Sequence, residues 1–437
     1  MAELKELARR IFQETLSAID IPAAMQWKLQ RSRNCWQCGG VEVDLSRFSR
    51  VLVVAMGKAA HGMLEGLEQL LPAGARFEGV ASAPTAPARA IPGIKYFVGG
   101  HPIPNAASLE AGKAILELLK KCDARTAVIF LLSGGGSALV EMPLDARQTL
   151  ADVQAVHRAL VTCGASIDEM NIVRRHLSAV KGGRLAAAAP AATKLTLAVS
   201  DVPVGKEMAL SSGPTLPDPT TIADAMQVIE KYSLRQRFPA AVREWLDAGK
   251  MEETAKEGDA AFANAYFELV LGMDELFHPA HHAAEAMGFE TCCDNTTDDW
   301  PVEEAAEFLV RQLVELKAAN PGRGVALIAD GEVSSPVTGT GVGGRNSAFV
   351  LACVRKIAGR EMAVLSAGTD GVDGNSPAAG AVADGKTLER GDAAGLSVEE
   401  AFGNSDAYRY FERLGDVVMT GPTGNNLRDL RVLLAGK

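Results

Sequence analysis

One pattern recurs along the chain. A short run of Val, Ile, Leu and Ala ends in a glycine-rich or polar loop, and a helical stretch often follows. Residues 51–55 lead into Met56-Gly57-Lys58, and residues 127–132 lead into Ser133-Gly134-Gly135-Gly136-Ser137. Residues 195–199 lead into Ser200-Asp201, residues 324–329 into Asp330-Gly331-Glu332, and residues 362–365 into Ser366-Ala367-Gly368-Thr369-Asp370. Apolar runs of this length without alternation are what strands covered on both faces look like. Their alternation with helices predicts an α/β protein with largely parallel sheets flanked by helices. Ligands of such sheets sit beyond the carboxyl ends of the strands, where all five loops fall.

Other stretches read differently. Leu4, Leu7, Ala8, Ile11, Phe12, Leu16 and Ile19 recur at helical spacing with charges between them, which predicts an amphipathic helix rather than a secretory signal. Residues 222–232 and 240–260 are helical in pattern, charged and poor in glycine loops, so a domain boundary is expected near 230–260. The expected organisation is an N-terminal Rossmann-like α/β/α domain over 1–240 and a C-terminal α/β domain over 241–437, consistent with a chain of 437 residues.

Charge and composition narrow the function. A net charge of -10 argues against a general role in binding nucleic acid or anionic membrane, so an anionic ligand needs a local cluster of cations and amides. No apolar run approaches the ~20 residues that cross a bilayer. Seven scattered cysteines point to a reducing cytosol. Cys35-Trp36-Gln37-Cys38 has no second pair for zinc and reads as a plain loop.

Several loops carry candidate chemistry. Lys58 stands where a helix should begin; its charge opposes the helix dipole unless an anion binds there too, and an exposed turn lysine is the structural reading. In Ser133, Gly134, Gly135, Gly136 and Ser137, three glycines let backbone amides converge on an oxyanion, and the serines add donors. Arg174, Arg175, His176, Lys181 and Arg184 cluster in an acidic chain, and Gly182-Gly183 inside the run suggests a backbone that approaches something closely. Asp201 at a strand end suits a Mg²⁺ ligand or a base toward a hydroxyl, and equally a turn or cap residue.

Thr338-Gly339-Thr340-Gly341-Val342-Gly343-Gly344 leads into Arg345 and Asn346, which looks like an anion loop ending in a bidentate fork. It spells G-x-G-x-x-G without the preceding buried strand that a dinucleotide fingerprint needs. Thr369, Asp370 and Asp373 lie in a second glycine loop, and Mg²⁺-nucleotide contact and a tight structural turn both fit it. Gly380 to Thr387 matches the P-loop consensus but lacks the strand before and the long helix after. His278 precedes Pro279 and is expected at or before a helix start, so a metal shared with His281 and His282 is disfavoured.

Read together and in order, these pieces resemble the class II glycerate kinase (glycerate 2-kinase) family. They comprise Val53-Val54-Ala55-Met56-Gly57-Lys58-Ala59-Ala60, Gly100-His101-Pro102-Ile103-Pro104-Asn105, Leu132-Ser133-Gly134-Gly135-Gly136-Ser137-Ala138 and Val180-Lys181-Gly182-Gly183-Arg184-Leu185. They continue with Ser200-Asp201-Val202, Ser211-Ser212-Gly213-Pro214-Thr215, Gly343-Gly344-Arg345-Asn346, Ser366-Ala367-Gly368-Thr369-Asp370-Gly371 and Thr420-Gly421-Pro422-Thr423-Gly424-Asn425-Asn426. The resemblance implies two α/β domains with the active site in the cleft between them. It implies transfer from ATP to D-glycerate, usually giving 2-phosphoglycerate, with a divalent cation such as Mg²⁺. It carries the family's lysine, arginine and aspartate roles onto Lys58, Arg345 and Asp201.

The expected mechanism follows from what phosphoryl transfer needs, which is positioning and charge neutralisation. The 133–137 loop binds an anionic group, either the glycerate carboxylate or a nucleotide phosphate, and Lys181, Arg184 and Asn346 are further candidates for binding substrate or phosphate. Lys58 and Arg345 approach the transferring phosphoryl from opposite sides of the cleft, and Asp201 orients the hydroxyl or holds Mg²⁺. Thr369, Asp370 and Asp373 are weaker candidates for nucleotide or Mg²⁺. No nucleic acid or membrane partner is expected, and a homodimer stays open. Two rivals remain: an NAD(P)H-dependent hydroxypyruvate reductase and a non-catalytic phosphometabolite-binding protein.

Overall fold

The computed structural model describes residues 2–437 except 31, 33, 72–76, 201, 203, 204, 273 and 426. The chain forms two compact units, Ile21–Leu271 and the pair of segments Met1–Asp20 and Gly272–Lys437. The first unit contains strands β1 (Cys35–Cys38), β2 (Val41–Asp44), β3 (Arg50–Met56), β4 (Glu78–Ala83), β5 (Ile94–Val98), β6 (Thr126–Ser133), β7 (Thr193–Val199) and β8 (Ala265–Leu271). The second contains β9 (Glu290–Asp294), β10 (Val325–Asp330), β11 (Met362–Gly368), β12 (Gly380–Asp384), β13 (Val417–Val418) and β14 (Asp429–Ala435).

The first unit is built on a six-stranded sheet in the order β5-β4-β3-β6-β7-β8, parallel throughout. Every residue of β6 is buried, as the unbroken apolar run predicts. Val128, Phe130 and Leu132 of β6 join Leu52 and Val54 of β3 and the helix residues Ile115 and Leu119 in one core. The helix Ala106–Leu119 begins at an Asn105/Ser108 capping box and carries the chain from β5 at the edge back to β6.

The second sheet runs β13-β12-β11-β14-β10-β9 and is mixed. Among the described residues, β9 pairs with β10 in parallel, and the other four pairs are antiparallel. The expectation of largely parallel sheets is therefore met in one unit and corrected in the other. Burial on both faces writes the same apolar run whichever way the neighbouring strand points.

The expected division at 240/241 also differs from the observed one. Residues 241–271 stay with the first unit because β8 pairs along β7. The helix Ala2–Ala18, amphipathic as predicted, belongs to the second unit: it buries Leu4, Ala8, Ile11 and Phe12, and packs on β11, β12 and β14. The C-x-x-C loop is strand β1 of a hairpin, paired with β2 through Gly39-Gly40, both left-handed at φ 57° and 78°. No helix among the described residues is long and apolar enough to cross a membrane.

Candidate active site

In the first unit β3 is followed outward by β4 and β5, whereas β6 is followed by β7 and β8 on the other side. The strand order reverses between β3 and β6, and the crevice beyond their carboxyl ends is where a sheet of this kind receives a ligand. Two expected loops meet there. The Lys58 N–H donates to Gly134 O at 3.0 Å, and the Ala59 N–H donates to Ser133 Oγ at 3.0 Å. Gly57, at φ 125°, admits this approach, because a Cβ there would collide with Ser133. A Cβ built on Gly135 would stand 3.0 Å from the His101 ring and 3.5 Å from Lys58 Cγ, so His101 and the lysine stem flank the loop. Ser133, Gly134 and Gly136 are buried; Gly135 and Ser137 are its half-exposed members.

The loop is held from behind by Ser211 and Ser212. Both sit in the left-handed region, at φ 52° and 60°, where a serine costs about 1–3 kcal/mol. Ser211 Oγ donates to Ser133 O at 2.9 Å and occupies the space that a Cβ on Gly136 would need. Ser212 Oγ lies 2.5 Å from Ser137 Oγ and donates to Asn171 Oδ1 at 3.1 Å. Asn171 and Arg174 stand on the helix Ile167–Leu177, started by a Ser166/Glu169 capping box. Neither Ser212 nor Asn171 was expected as a site residue. The one sequence signal was Ser-Ser ahead of Gly-Pro, which is compatible with any turn.

Lys181 and Arg184, expected to face a ligand, are turned elsewhere. Lys181 is 1% exposed and donates to Glu141 Oε2 at 2.5 Å. Ser178 Oγ donates to Glu141 Oε1 at 2.5 Å, and His157 Nε2 lies 3.2 Å from Glu141 Oε2. Burial alone would raise the Glu141 pKa, but the Lys181 ammonium and His157 outweigh it and hold the carboxyl well below its usual range. Arg184 Nη2 donates to Glu252 O at 2.7 Å. The close approach suggested by Gly182-Gly183 is to the chain itself: their N–H groups donate to Ser212 O at 3.1 Å and Gly213 O at 2.7 Å.

In the second unit, Arg345 opens the helix Arg345–Val354. Its Nε contacts Asp429 Oδ2 at 2.5 Å and its Nη2 contacts Glu332 Oε1 at 2.6 Å, yet its side chain remains 36% exposed. Asn346 is buried, and its Oδ1 accepts from Ser366 Oγ at 2.6 Å. Burial would raise the Asp429 pKa, but Arg345 and a hydrogen bond from Asn346 lower it. Asn346 thus steadies the carboxylate that aims Arg345.

Asp373 caps this helix. It accepts from the N–H groups of Gly344 at 3.1 Å, Asn346 at 2.9 Å and Ser347 at 2.8 Å, and from Ser347 Oγ at 2.6 Å. Oδ2 takes three of these donors and Oδ1 one, which is the pattern of a helix cap. Thr369 is also internal: its Oγ1 accepts from the N–H groups of Leu427 at 3.0 Å and Arg428 at 3.1 Å. Asp370 is half-buried and accepts from the Val372 N–H at 3.0 Å.

Asp201 lies outside the described residues. Asp330, at the end of β10, is the described carboxylate whose chemistry best fits a hard cation. It is 0% exposed, neither oxygen meets a hydrogen-bond donor among the described residues, and Arg428 Nη1 stands 3.7 Å away. Burial pushes its pKa up to about 6, against the pull of Arg428. No group of three or more His, Cys, Asp or Glu among the described residues is arranged to hold a metal.

The 338–344 loop spends most of its amides internally. Thr340 N–H donates to Asn404 Oδ1 at 3.2 Å, Gly341 N–H to Asn404 O at 2.9 Å, and Val342 N–H to Asp406 Oδ1 at 2.7 Å. Gly343 N–H donates to Asn375 Oδ1 at 2.8 Å, and Gly344 N–H goes to Asp373. The anion loop expected here is a structural one, and no dinucleotide fingerprint survives. The P-loop match fails as expected, because its first five residues are β12 itself. His278 is inside the helix Asp274–Ala286, which carries Pro279 within it, so its expected place at the helix start is corrected.

Two family profiles match the chain: a domain of unknown function, DUF4147, over residues 7–247, and the MOFRL family over residues 325–429. A D-glycerate 2-kinase from Thermotoga maritima is 33% identical over 98% of this chain and 97% of its own length. A relative from Agrobacterium vitis, 34% identical over 99% of this chain and 94% of its own, bears the name of a hydroxypyruvate reductase. The crystal structure of a glycerate kinase from Thermotoga maritima matches with a TM-score of 0.81 at 32% identity, covering 100% of both chains.

Proposed function

We propose that this chain, which belongs to the glycerate 2-kinase family, transfers the γ-phosphoryl group of ATP to the 2-hydroxyl of D-glycerate, giving 2-phosphoglycerate and ADP. The observation that carries the reading is the meeting of Lys58 with the 133–137 loop where the strand order of a parallel sheet reverses. Full-length likeness to a D-glycerate 2-kinase supports the kinase chemistry, and the crevice is the place proposed for it.

The roles divide by charge. Lys58 brings positive charge to the transferring phosphoryl, whose equatorial oxygens gather charge in the transition state, and Arg345 is the second unit's candidate for binding an anion. Glu332 and Asp429 fix the guanidinium plane of Arg345, and Asn346 fixes Asp429 in turn. The 133–137 loop receives an anionic group of one substrate. Asp201 orients the attacking hydroxyl or holds Mg²⁺.

Mg²⁺, when bound, neutralises ATP phosphate charge. Asp330 and Asp370 are the carboxylates suited to hold it, and one or two suffice for a cation that also uses phosphates and water. Seven free cysteines suit an enzyme of the cytoplasm.

A coupled assay for ADP release tests the reading, with D-glycerate, ATP and Mg²⁺, and with L-glycerate and hydroxypyruvate as controls. Release with D-glycerate alone, and a phosphorus NMR signal for the 2-phosphate, is the expected result. NADH consumption by hydroxypyruvate without ADP release would replace the kinase with a reductase.

A further inference from the structure

The hydroxyl groups behind the 133–137 loop form a chain whose direction is set at its far end. Arg174 Nη1 donates to Asn171 Oδ1 at 3.3 Å. A guanidinium has donors and no acceptor, so the Asn171 atom it faces is the amide oxygen. The same oxygen receives the proton of Ser212 Oγ at 3.1 Å. A serine hydroxyl has a single hydrogen, and that of Ser212 is now spent. The 2.5 Å contact between Ser137 Oγ and Ser212 Oγ therefore has Ser137 as the donor. Ser137 has spent its hydrogen as well, and what remains on its oxygen is acceptor capacity.

Burial locks this polarity. Asn171 is 3% exposed and Ser212 0% exposed, so neither can exchange its partner for bulk water without cost. Ser137 is half-exposed, so its lone pairs are available to a ligand. The backbone strain at Ser211 and Ser212 is a second, independent sign that their hydroxyls are held in place for a purpose.

The polarity separates the two substrates. Phosphate oxygens of ATP at neutral pH offer lone pairs, and a lone pair on Ser137 gives them nothing. A hydroxy acid brings a hydroxyl proton. We infer that the 133–137 loop receives the hydroxy acid rather than the nucleotide phosphates, and that Ser137 accepts a hydrogen bond from the acid's non-reacting hydroxyl. Ser212, Asn171 and Arg174 are positioning residues that act through Ser137. The identity of the acid as D-glycerate rests on the kinase reading; the direction of the hydroxyl chain does not.

The test is calorimetric titration of D-glycerate, D-lactate and ATP, each alone, into the wild-type chain and Ser137→Ala. D-lactate lacks the non-reacting hydroxyl and keeps the carboxylate. The expected result is about tenfold weaker binding of D-glycerate to Ser137→Ala, with D-lactate and ATP unchanged. Equal weakening of both acids would mean a merely structural serine and overturn the inference. So would weakened ATP binding, which would give the loop to a ribose, and so would no change at all. If the wild-type chain shows the expected pattern but releases no ADP, the kinase reading fails and the inference about Ser137 stands.

Discussion

The 133–137 loop and the 338–344 loop are both glycine-rich, and both lead into a helix. They use their surroundings in opposite ways. The first is anchored by hydroxyls from outside and within it, with Ser133, Ser211 and Ser212 holding a turn that Lys58 and His101 flank. The second gives its own amides to Asn404, Asp406, Asn375 and Asp373. Glycine content does not say which loop faces a ligand. The destination of the backbone N–H groups does, because an amide already given to an acceptor within the protein is not offered to a ligand.

The largest expected effect lies at the first loop. Lys58→Ala should lower kcat by about 10²–10³-fold, the range for one lost charge-stabilising donor, with a melting temperature close to wild type. Steady-state kinetics and a thermal melt check it. Full turnover in this variant would put the chemistry away from the β3/β6 crevice and erase the contrast between the loops.

Next comes the cap of the second. Asp373→Ala removes the acceptor of four donors, most of them buried, and should cost about 2–3 kcal/mol of stability. Denaturant unfolding reads this directly. A folded variant of unchanged stability whose only defect was a higher Mg²⁺ requirement would return Asp373 to the metal and reverse the assignment.

A smaller effect belongs to the acceptors farther along the chain. Asn404→Ala should cost about 1 kcal/mol, the net worth of one hydrogen bond, since the exposed amide of Thr340 exchanges Asn404 for water while the backbone bond to Gly341 stays in place. The KM values for ATP and D-glycerate should not move. A rise in KM for ATP alone would make the 338–344 loop a nucleotide loop after all.

This contrast also shows what could be read from the sequence. The five strand-to-loop junctions were legible because apolar runs and glycines are local. The strand direction at β11, β12 and β14 was not, since burial looks the same in parallel and antiparallel sheets. The fate of the 338–344 amides depended on Asn404 and Asp406, more than sixty residues on, which no local pattern announces. Lys181 read as a cation awaiting an anion; its anion, Glu141, is forty residues upstream and buried with it. Residues 35–38 were misread as a loop although Gly39-Gly40 after them is a hairpin signal.

The smallest effect tests the strain that holds the first loop. Ser212→Gly and Ser212→Ala both lose the hydroxyl, so they lose the same hydrogen bonds to Ser137 and Asn171. They differ in backbone conformation. At φ 60° alanine keeps a penalty of about 1 kcal/mol that glycine does not have. In a unit of this size that difference should raise the melting temperature of the glycine variant about 2–4 °C above that of the alanine variant. Catalytic activity should be equally low in both, because it follows the hydroxyl. If the two melt together, the left-handed serine carries no strain, and its conformation no longer argues for function. If glycine melts higher but the two differ in turnover, the turn itself, apart from the hydroxyl chain, shapes the crevice.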